Sequence, residues 1–344
     1  MSSSFAARLT AWQKRHGRHG LPWQGTRDPY AIWLSEIMLQ QTQVATVIPY
    51  YNRFLACFPD VRALANADLD EVLAVWSGLG YYSRARNLHR AARVIVRECR
   101  GRFPRRFDEV MALPGVGRST AAAICVFAYG ARHAILDGNV KRVLARRFGI
   151  AGYPGEKRVA DALWRKAEEL LPRSGIEAYT QGLMDLGAAV CTRGKPRCTA
   201  CPLRGDCVAL RRGRVAQLPS PRPRKPLPQK RTIMLALVRA GEVLLEKRPP
   251  AGIWGGLWCL PETVREAGLG PYCLERFGAR VSGIEALPGI AHGFTHFKLD
   301  IQPLRLRVSG LAPRAAEPGL VWLPIEEALG AAIPAPVRKI LARL

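Results

Sequence analysis

No apolar run in this chain is long enough to span a bilayer, and no basic amphipathic anchor stands beside a lipidation signal, so membrane attachment is not expected. No secretory segment opens the chain either. Five of the nine cysteines, Cys57, Cys99, Cys125, Cys259 and Cys273, are scattered singly, mostly in apolar surroundings. That usage fits a reducing cytoplasm and argues against a disulfide framework. No internal repeat relates the two halves. Acid is scarce: 27 acidic residues stand against 52 basic ones in a chain of 344, a net charge of +25 that no single run accounts for. So large an excess suggests a polyanionic partner, and nucleic acid is the expected one. The length suffices for two domains, each with its own core.

What the chain concentrates is thiol. Cys191, Cys198, Cys201 and Cys207 fall within 17 residues, with 6, 2 and 5 residues between them. Such density in one loop reads as a ligand set and ranks a disulfide pair well below a metal site. Four thiolates suit tetrahedral zinc or an iron–sulfur cubane, and spacing alone leaves both open.

Up to Cys191 the apolar period is helical. Asp28 is an N-cap followed by Pro29 at the first helical position, and Tyr30, Trp33, Leu34, Ile37 and Met38 recur at helix spacing. Glu36 lies off that stripe and forms a polar face with Gln40 and Gln43. Asp68 and Glu71 make a capping box ahead of Leu69, Val72, Leu73 and Trp76. Further helices are predicted over 84–99, 119–129, 139–148, 157–171 and 176–189. From 211 to 229 the chain turns to Pro, Arg and Lys, an extended linker. Beyond it the period becomes that of strands, over 232–238, 242–248 and 296–308, with Pro303 marking a bulge or an edge, and helices over 263–277 and 334–343. The chain is expected to be an all-α domain over 1–210, the linker over 211–229, and an α+β domain over 230–344.

Several motifs carry chemistry. Leu113 to Arg118 joins two helices, and Gly115 and Gly117 let the turn offer bare N–H groups to a phosphate. Arg118 adds charge, and Ser119 is read as the cap of the next helix. Asp137 alone would be an N-cap; its interest lies in a pairing with Glu36. Breaking a bond at a sugar's anomeric carbon wants one protonated carboxylic acid at the leaving group and one ionised carboxylate beside the sugar. Glu36, in a mainly apolar helix, has surroundings that hold a proton, and Asp137, at a helix start among polar neighbours, has surroundings that keep it ionised. Tyr81 and Tyr82 in the Gly78 to Arg84 turn, and the cluster of Gln40, Gln41 and Gln43, can wedge into a base stack or read base edges.

With these residues in order, the chain resembles the MutY-type adenine DNA glycosylases of the helix-hairpin-helix superfamily over essentially its full length. The likeness rests on Trp33 to Gln43, the Gly80 to Ser83 turn, the Leu113 to Ser119 hairpin, Asp137 to Val140 and the four-cysteine loop. It implies an all-α helix-hairpin-helix glycosylase domain, its hairpin at about 107–130 and a [4Fe-4S] cluster on the 191–207 loop, followed by an α+β NUDIX-like domain. It implies that Glu36 protonates adenine and Asp137 stabilises the sugar cation, and that Gln41 and Tyr81 enter the duplex. Trp23 and Gln181 would belong to the adenine pocket, and Phe294, Thr295 and His296 would recognise 8-oxoguanine, with Thr295 where many relatives carry serine. The implied protein is a cytoplasmic, nucleoid-associated bacterial monomer in base excision repair. Its partner would be double-stranded DNA with adenine opposite 8-oxoguanine or guanine.

Two rivals share part of this pattern. An endonuclease III type would cut the strand through a Schiff base on a lysine, but Ser119 stands there and a hydroxyl cannot form an imine. Little or no lyase activity is therefore expected. A non-catalytic DNA-binding protein would explain the charge, the hairpin and the cysteines, and would leave the pairing of Glu36 with Asp137 a coincidence.

Overall fold

A computed structural model describes residues 4–223, 226–313 and 317–344, so Arg224 and Lys225 of the expected linker lie outside the described residues. The chain divides into two compact units, one of residues 1–65 and 90–224, the other of residues 66–89 and 225–344. Among the described residues, no helix is long and apolar enough to cross a membrane.

The first unit is helical. The Asp28 carboxylate accepts from the Tyr30 N–H at 3.0 Å and starts the helix Pro29–Met38, whose residues are buried on nearly every side, with Glu36 its one charged member. That helix stops at Met38, so Gln40 and Gln43 are not on its face as the sequence reading has them; they lie in the turn and at the cap of the helix Val44–Cys57. Within the turn, exposed Gln41 is held at a φ of 59°. The hairpin runs from the helix Phe107–Met111 to the helix Arg118–Tyr129, close to the expected span. A core of Leu9, Ala122, Val126, Leu144, Leu163, Tyr179 and Leu183 binds the helices together. Part of the expected linker belongs here: Leu218 is buried, its carbonyl accepts from Arg146 Nε at 2.8 Å, and Ser220 N–H donates to Gly152 O at 3.2 Å. One apolar side chain among the prolines is enough to dock a segment whose composition reads as extended.

The second unit is built on a mixed sheet of eight strands. They are β1 Gln229–Arg239, β2 Glu242–Lys247, β3 Trp258–Cys259, β4 Glu262–Thr263, β5 Ala279–Ala286, β6 Ile290–Gly293, β7 Lys298–Leu311 and β8 Leu320–Pro324. The order is β3-β2-β1-β7-β5, and β1 and β7 pair in parallel. The helix Leu269–Phe277 packs Leu269, Cys273 and Phe277 on Leu235, Leu237 and Leu306; it starts later than the expected residue 263, because Glu262–Thr263 pairs with β1. Pro303 is neither at an edge nor at a bulge. It pairs with Met234 inside the sheet, and on its other side it falls between the stretch of β7 paired with β6 (298–301) and that paired with β5 (304–311). At that gap no strand asks for the missing N–H.

Residues 66–89, read from their helical pattern with the first domain, group with the second unit through contacts to it. The capping box of Asp68 and Glu71 opens the helix Leu69–Trp76 as expected. Asp70 accepts from Lys247 Nζ and, at 3.3 Å, from Trp258 Nε1. Ser77 Oγ donates to Ile333 O at 3.0 Å, and Arg86 Nη1 donates to Gly255 O at 2.6 Å.

Candidate active site

A cavity of about 630 Å³ opens in the first unit, lined in part by Trp23, Glu36, Leu39, Phe127, Gln181 and Met184. Its volume falls in the range of clefts that bury a small organic ligand. The helix Pro29–Met38 turns the Glu36 carboxyl into this wall. Burial, and after it the nearby Asp137 charge, push that carboxyl from its ordinary 4.5 up to about 8.

Asp137 is not in the cavity lining, yet it stands close enough for its charge to act on Glu36. It caps the helix Gly138–Phe148, accepting from the Val140 N–H at 2.7 Å. Burial raises its pKa, against the expectation that it sits among polar groups that simply keep it charged; the N–H groups of Val140 and Asn139 and the cations Arg142 and Lys141 pull the other way. Two carboxyls so placed do not both ionise easily. The one with donors and cations, Asp137, is the better seat for the charge, and Glu36 for the proton.

Gln181 and Asp185 lie one turn apart on the helix Ile176–Asp185, and Gln181 Nε2 donates to Asp185 Oδ1 at 2.9 Å. Asp185, 1% exposed, also takes Arg18 Nε at 2.6 Å and Arg18 N–H at 2.9 Å. The amide is thereby oriented, its donor end engaged. Sequence reasoning missed Arg18 and Asp185; the signal available was a lone acid among Leu183, Met184 and Leu186. Trp23 stands edge-on to Tyr51, ring centroids 5.3 Å apart.

The hairpin turn has Gly115 at a φ of 80°, and Gly117 is open to solvent. Gly117, rather than Ser119, occupies the cap position. Ser119 Oγ instead accepts from the Leu136 N–H at 2.9 Å, tying the hairpin to the strand of chain that delivers Asp137. Arg118 pairs with Glu168 and lies 3.9 Å over the Trp164 ring, so its guanidinium is already engaged.

Cys191, Cys198, Cys201 and Cys207 face one small cavity of about 30 Å³, beside Arg146 and Arg204. Among the described residues, no group of three or more His, Cys, Asp or Glu is gathered closely enough to hold a single metal ion. Arginines of the helix Gly138–Phe148 secure the loop. Arg142 Nε donates to Cys191 O at 2.7 Å, and buried Arg146 reaches Thr192 O at 2.7 Å and Cys191 Sγ at 3.4 Å. Arg147 and Arg8 both bind Asp206. Five-donor side chains can satisfy several loop carbonyls at once, a role that net charge alone does not suggest.

In the second unit a cavity of about 860 Å³ brings Tyr81 together with Phe294, Thr295 and His296, adding Trp254 and His292. Tyr81 is 44% exposed, at a φ of 49°. The Phe294 ring stacks on Phe297 at 4.5 Å and meets His292 edge-on at 4.7 Å. Thr295 Oγ1 lies 3.4 Å from His296 Nδ1.

Comparison with known proteins is consistent along the whole chain. Residues 34–169 match the HhH-GPD superfamily of base excision DNA repair proteins, and residues 233–343 match the NUDIX domain. The adenine DNA glycosylase of Buchnera aphidicola subsp. Acyrthosiphon pisum (strain APS) is 36% identical over 339 residues, covering 98% of this chain and 96% of that protein. The human adenine DNA glycosylase is 33% identical over 403 residues, covering 98% of this chain and 73% of that one. A thermostable thymine-DNA glycosylase superposes with a TM-score of 0.56 at 32% identity, over 60% of this chain and 95% of its own. Endonuclease III in a non-covalent DNA complex, at 22% identity and a TM-score of 0.52 over 60% of this chain and 94% of its own, shares the fold of the helical part. With its proton-holding carboxyl, its hairpin and its four-thiol loop set in a helical unit of this kind, and with relatives that align over nearly its entire length, this chain belongs to the adenine DNA glycosylase family.

Proposed function

We propose that this protein is a DNA N-glycosylase that removes adenine mispaired with 8-oxoguanine or guanine, acting in base excision repair on the nucleoid DNA of a bacterial cytoplasm. The observation that carries the reading is Glu36: a carboxyl raised to about 8, in the wall of a ligand-sized cavity, with a second carboxylate acting on it. Adenine must leave the base stack to reach such a site, at a cost of about a few kcal/mol. Basic residues, the bare N–H groups of the hairpin and the exposed, left-handed Gln41 and Tyr81 offset that cost by holding phosphates and filling the gap. Arg118 exchanges Glu168 for a phosphate.

In the cavity, Trp23 offers a face for the purine, and Gln181, one amide N–H held by Asp185, presents its oxygen to the exocyclic amine. Glu36 delivers its proton to a ring nitrogen as the N-glycosidic bond lengthens, so that neutral adenine departs. Asp137 offsets the positive charge left on the sugar, and water adds at the anomeric carbon, its proton passing to the Glu36 carboxylate, to leave an abasic site. Ser119 supplies no amine, so the strand stays intact. The four thiols, which face one small cavity, would be the ligands of the [4Fe-4S] cluster that the family resemblance implies. When bound, the cluster would crosslink the loop; Arg142 and Arg146 hold its backbone, and Arg193, Lys195, Arg197 and Arg204 carry its charge to phosphates. The matching of partner base falls to the second unit, through Phe294, Thr295 and His296. The protein acts as a monomer.

The test is a panel of duplexes bearing adenine opposite 8-oxoguanine, adenine opposite guanine, and thymine glycol. Adenine release from the first two is expected, with strand breaks only after alkali. Activity confined to thymine glycol would overturn the reading. The pH dependence follows from the raised Glu36 carboxyl: the working form is the protonated one. The single-turnover rate on the 8-oxoguanine duplex should hold through neutrality and fall above pH about 8, approaching about tenfold per unit. A rate that keeps rising through pH 9 would show a required base in place of an acid. Purified protein should also absorb broadly at the edge of the visible range and carry iron, and Cys198→Ser should lose both together; zinc at one ion per chain would contradict the cluster assignment.

A further inference from the structure

Trp254 belongs to none of the motifs read from the sequence, yet its loop holds it in a constrained place. It is held at a φ of 53°, a left-handed backbone that bulky side chains rarely adopt and that persists only where the surroundings enforce it. The enforcement is visible. Leu257 N–H donates to Trp254 O at 3.0 Å, and Gly256 N–H to Pro249 O at 3.0 Å. A Cβ on Gly255 would come within 2.5 Å of Pro250 O, so only glycine fits beside the tryptophan. Arg86, from the same segment as Tyr81, fastens the loop by donating to Gly255 O at 2.6 Å. The result is a buried indole, 8% exposed, with its ring 5.5 Å from Phe294 and 5.7 Å from His292. Phe294 thus has both Trp254 and Phe297 as ring neighbours, and Thr295 follows it in the chain.

We infer that Trp254 is a specificity-determining residue for the base opposite the target adenine, acting as the fixed backing that sets the Phe294 ring and, through it, the Thr295 hydroxyl. 8-Oxoguanine differs from guanine by an added carbonyl and by an N–H where guanine has a bare ring nitrogen, so discrimination depends on where a hydroxyl stands to within a fraction of an ångström. A flexible Phe294-Thr295 loop could make the same contact with either base by shifting. A backed one cannot. The inference rests on the reading that the second unit inspects the partner base.

The experiment compares Trp254→Leu, which keeps apolar bulk, and Trp254→Phe, which keeps a ring face, with the unaltered protein. The readout is the ratio of kcat/KM on duplexes with adenine opposite 8-oxoguanine and opposite guanine, each variant first shown to melt cooperatively. Trp254→Leu should shrink the ratio by roughly tenfold, the scale of losing aromatic ring contacts, and Trp254→Phe should restore most of it. Adding Phe294→Leu to Trp254→Leu should cost little beyond either change alone, since both act on one hydroxyl. A ratio unmoved in Trp254→Leu, or equally reduced in Trp254→Phe, would overturn the assignment while leaving the functional reading intact. An unaltered protein with no preference for 8-oxoguanine would remove the reading itself, and the inference with it.

Discussion

Glu36→Gln should lower the rate of adenine release from an 8-oxoguanine duplex by about 10² to 10⁴-fold, the range for loss of a positioned general acid, while the affinity for the intact duplex stays within a factor of a few. Glutamine keeps the shape and polarity of the side chain but has no acidic proton to give. The site gives no easy substitute: the carboxyl sits at the end of a helix buried on nearly every side, and burial is the first reason its proton is retained near neutral pH. Single-turnover kinetics with filter-binding or anisotropy on the same duplex separates the two effects. Adenine release at the unaltered rate would show that the proton comes from elsewhere.

Asp137→Asn is expected to act on the other half of the same step. Asparagine caps a helix about as well as aspartate, so the bond to the Val140 N–H survives and the melting temperature should move little. What disappears is the negative charge beside the sugar, and losing one such stabilising group costs about 10² to 10³-fold in rate. A second consequence runs through Glu36. Asp137's charge is part of what raises the Glu36 carboxyl, so the variant should hold the Glu36 proton less tightly and its residual activity should decline at a lower pH. Burial, the larger influence, remains. A large loss of thermal stability with little loss of rate would reduce Asp137 to a cap.

The parts of this arrangement legible in the sequence are those written in short-range patterns. Asp28-Pro29, the capping box of Asp68 and Glu71 and the glycines of the hairpin each act on neighbours within one or two turns, and each appears where the pattern places it. The spacing of the four cysteines likewise brings them to one small cavity. What escaped is set by partners remote in the chain. Helical periodicity reveals that residues 66–89 are helical but not that Asp70 meets Lys247 and Ser77 meets Ile333, which moves them to the second unit. Ser119 has the composition of a cap and becomes the acceptor for Leu136 because Gly117 already sits at the cap position. Gln40 and Gln43 fit a helix face on paper, but the helix ends at Met38. Trp254 falls in none of the sequence motifs, and its place emerges only when its ring is seen against Phe294.

Everything in the proposed chemistry depends on Glu36 and Asp137 sharing one electrostatic environment. Carbon-13 labelled side-chain carboxyls of glutamate, followed by NMR across pH in the unaltered protein and in Asp137→Asn, with the Glu36 signal identified by its loss in Glu36→Gln, measure that directly. The account predicts a Glu36 carboxyl titrating near 8 that moves to lower pH when the Asp137 charge is removed. A Glu36 signal titrating at its ordinary value of 4.5, unchanged by Asp137→Asn, would contradict it.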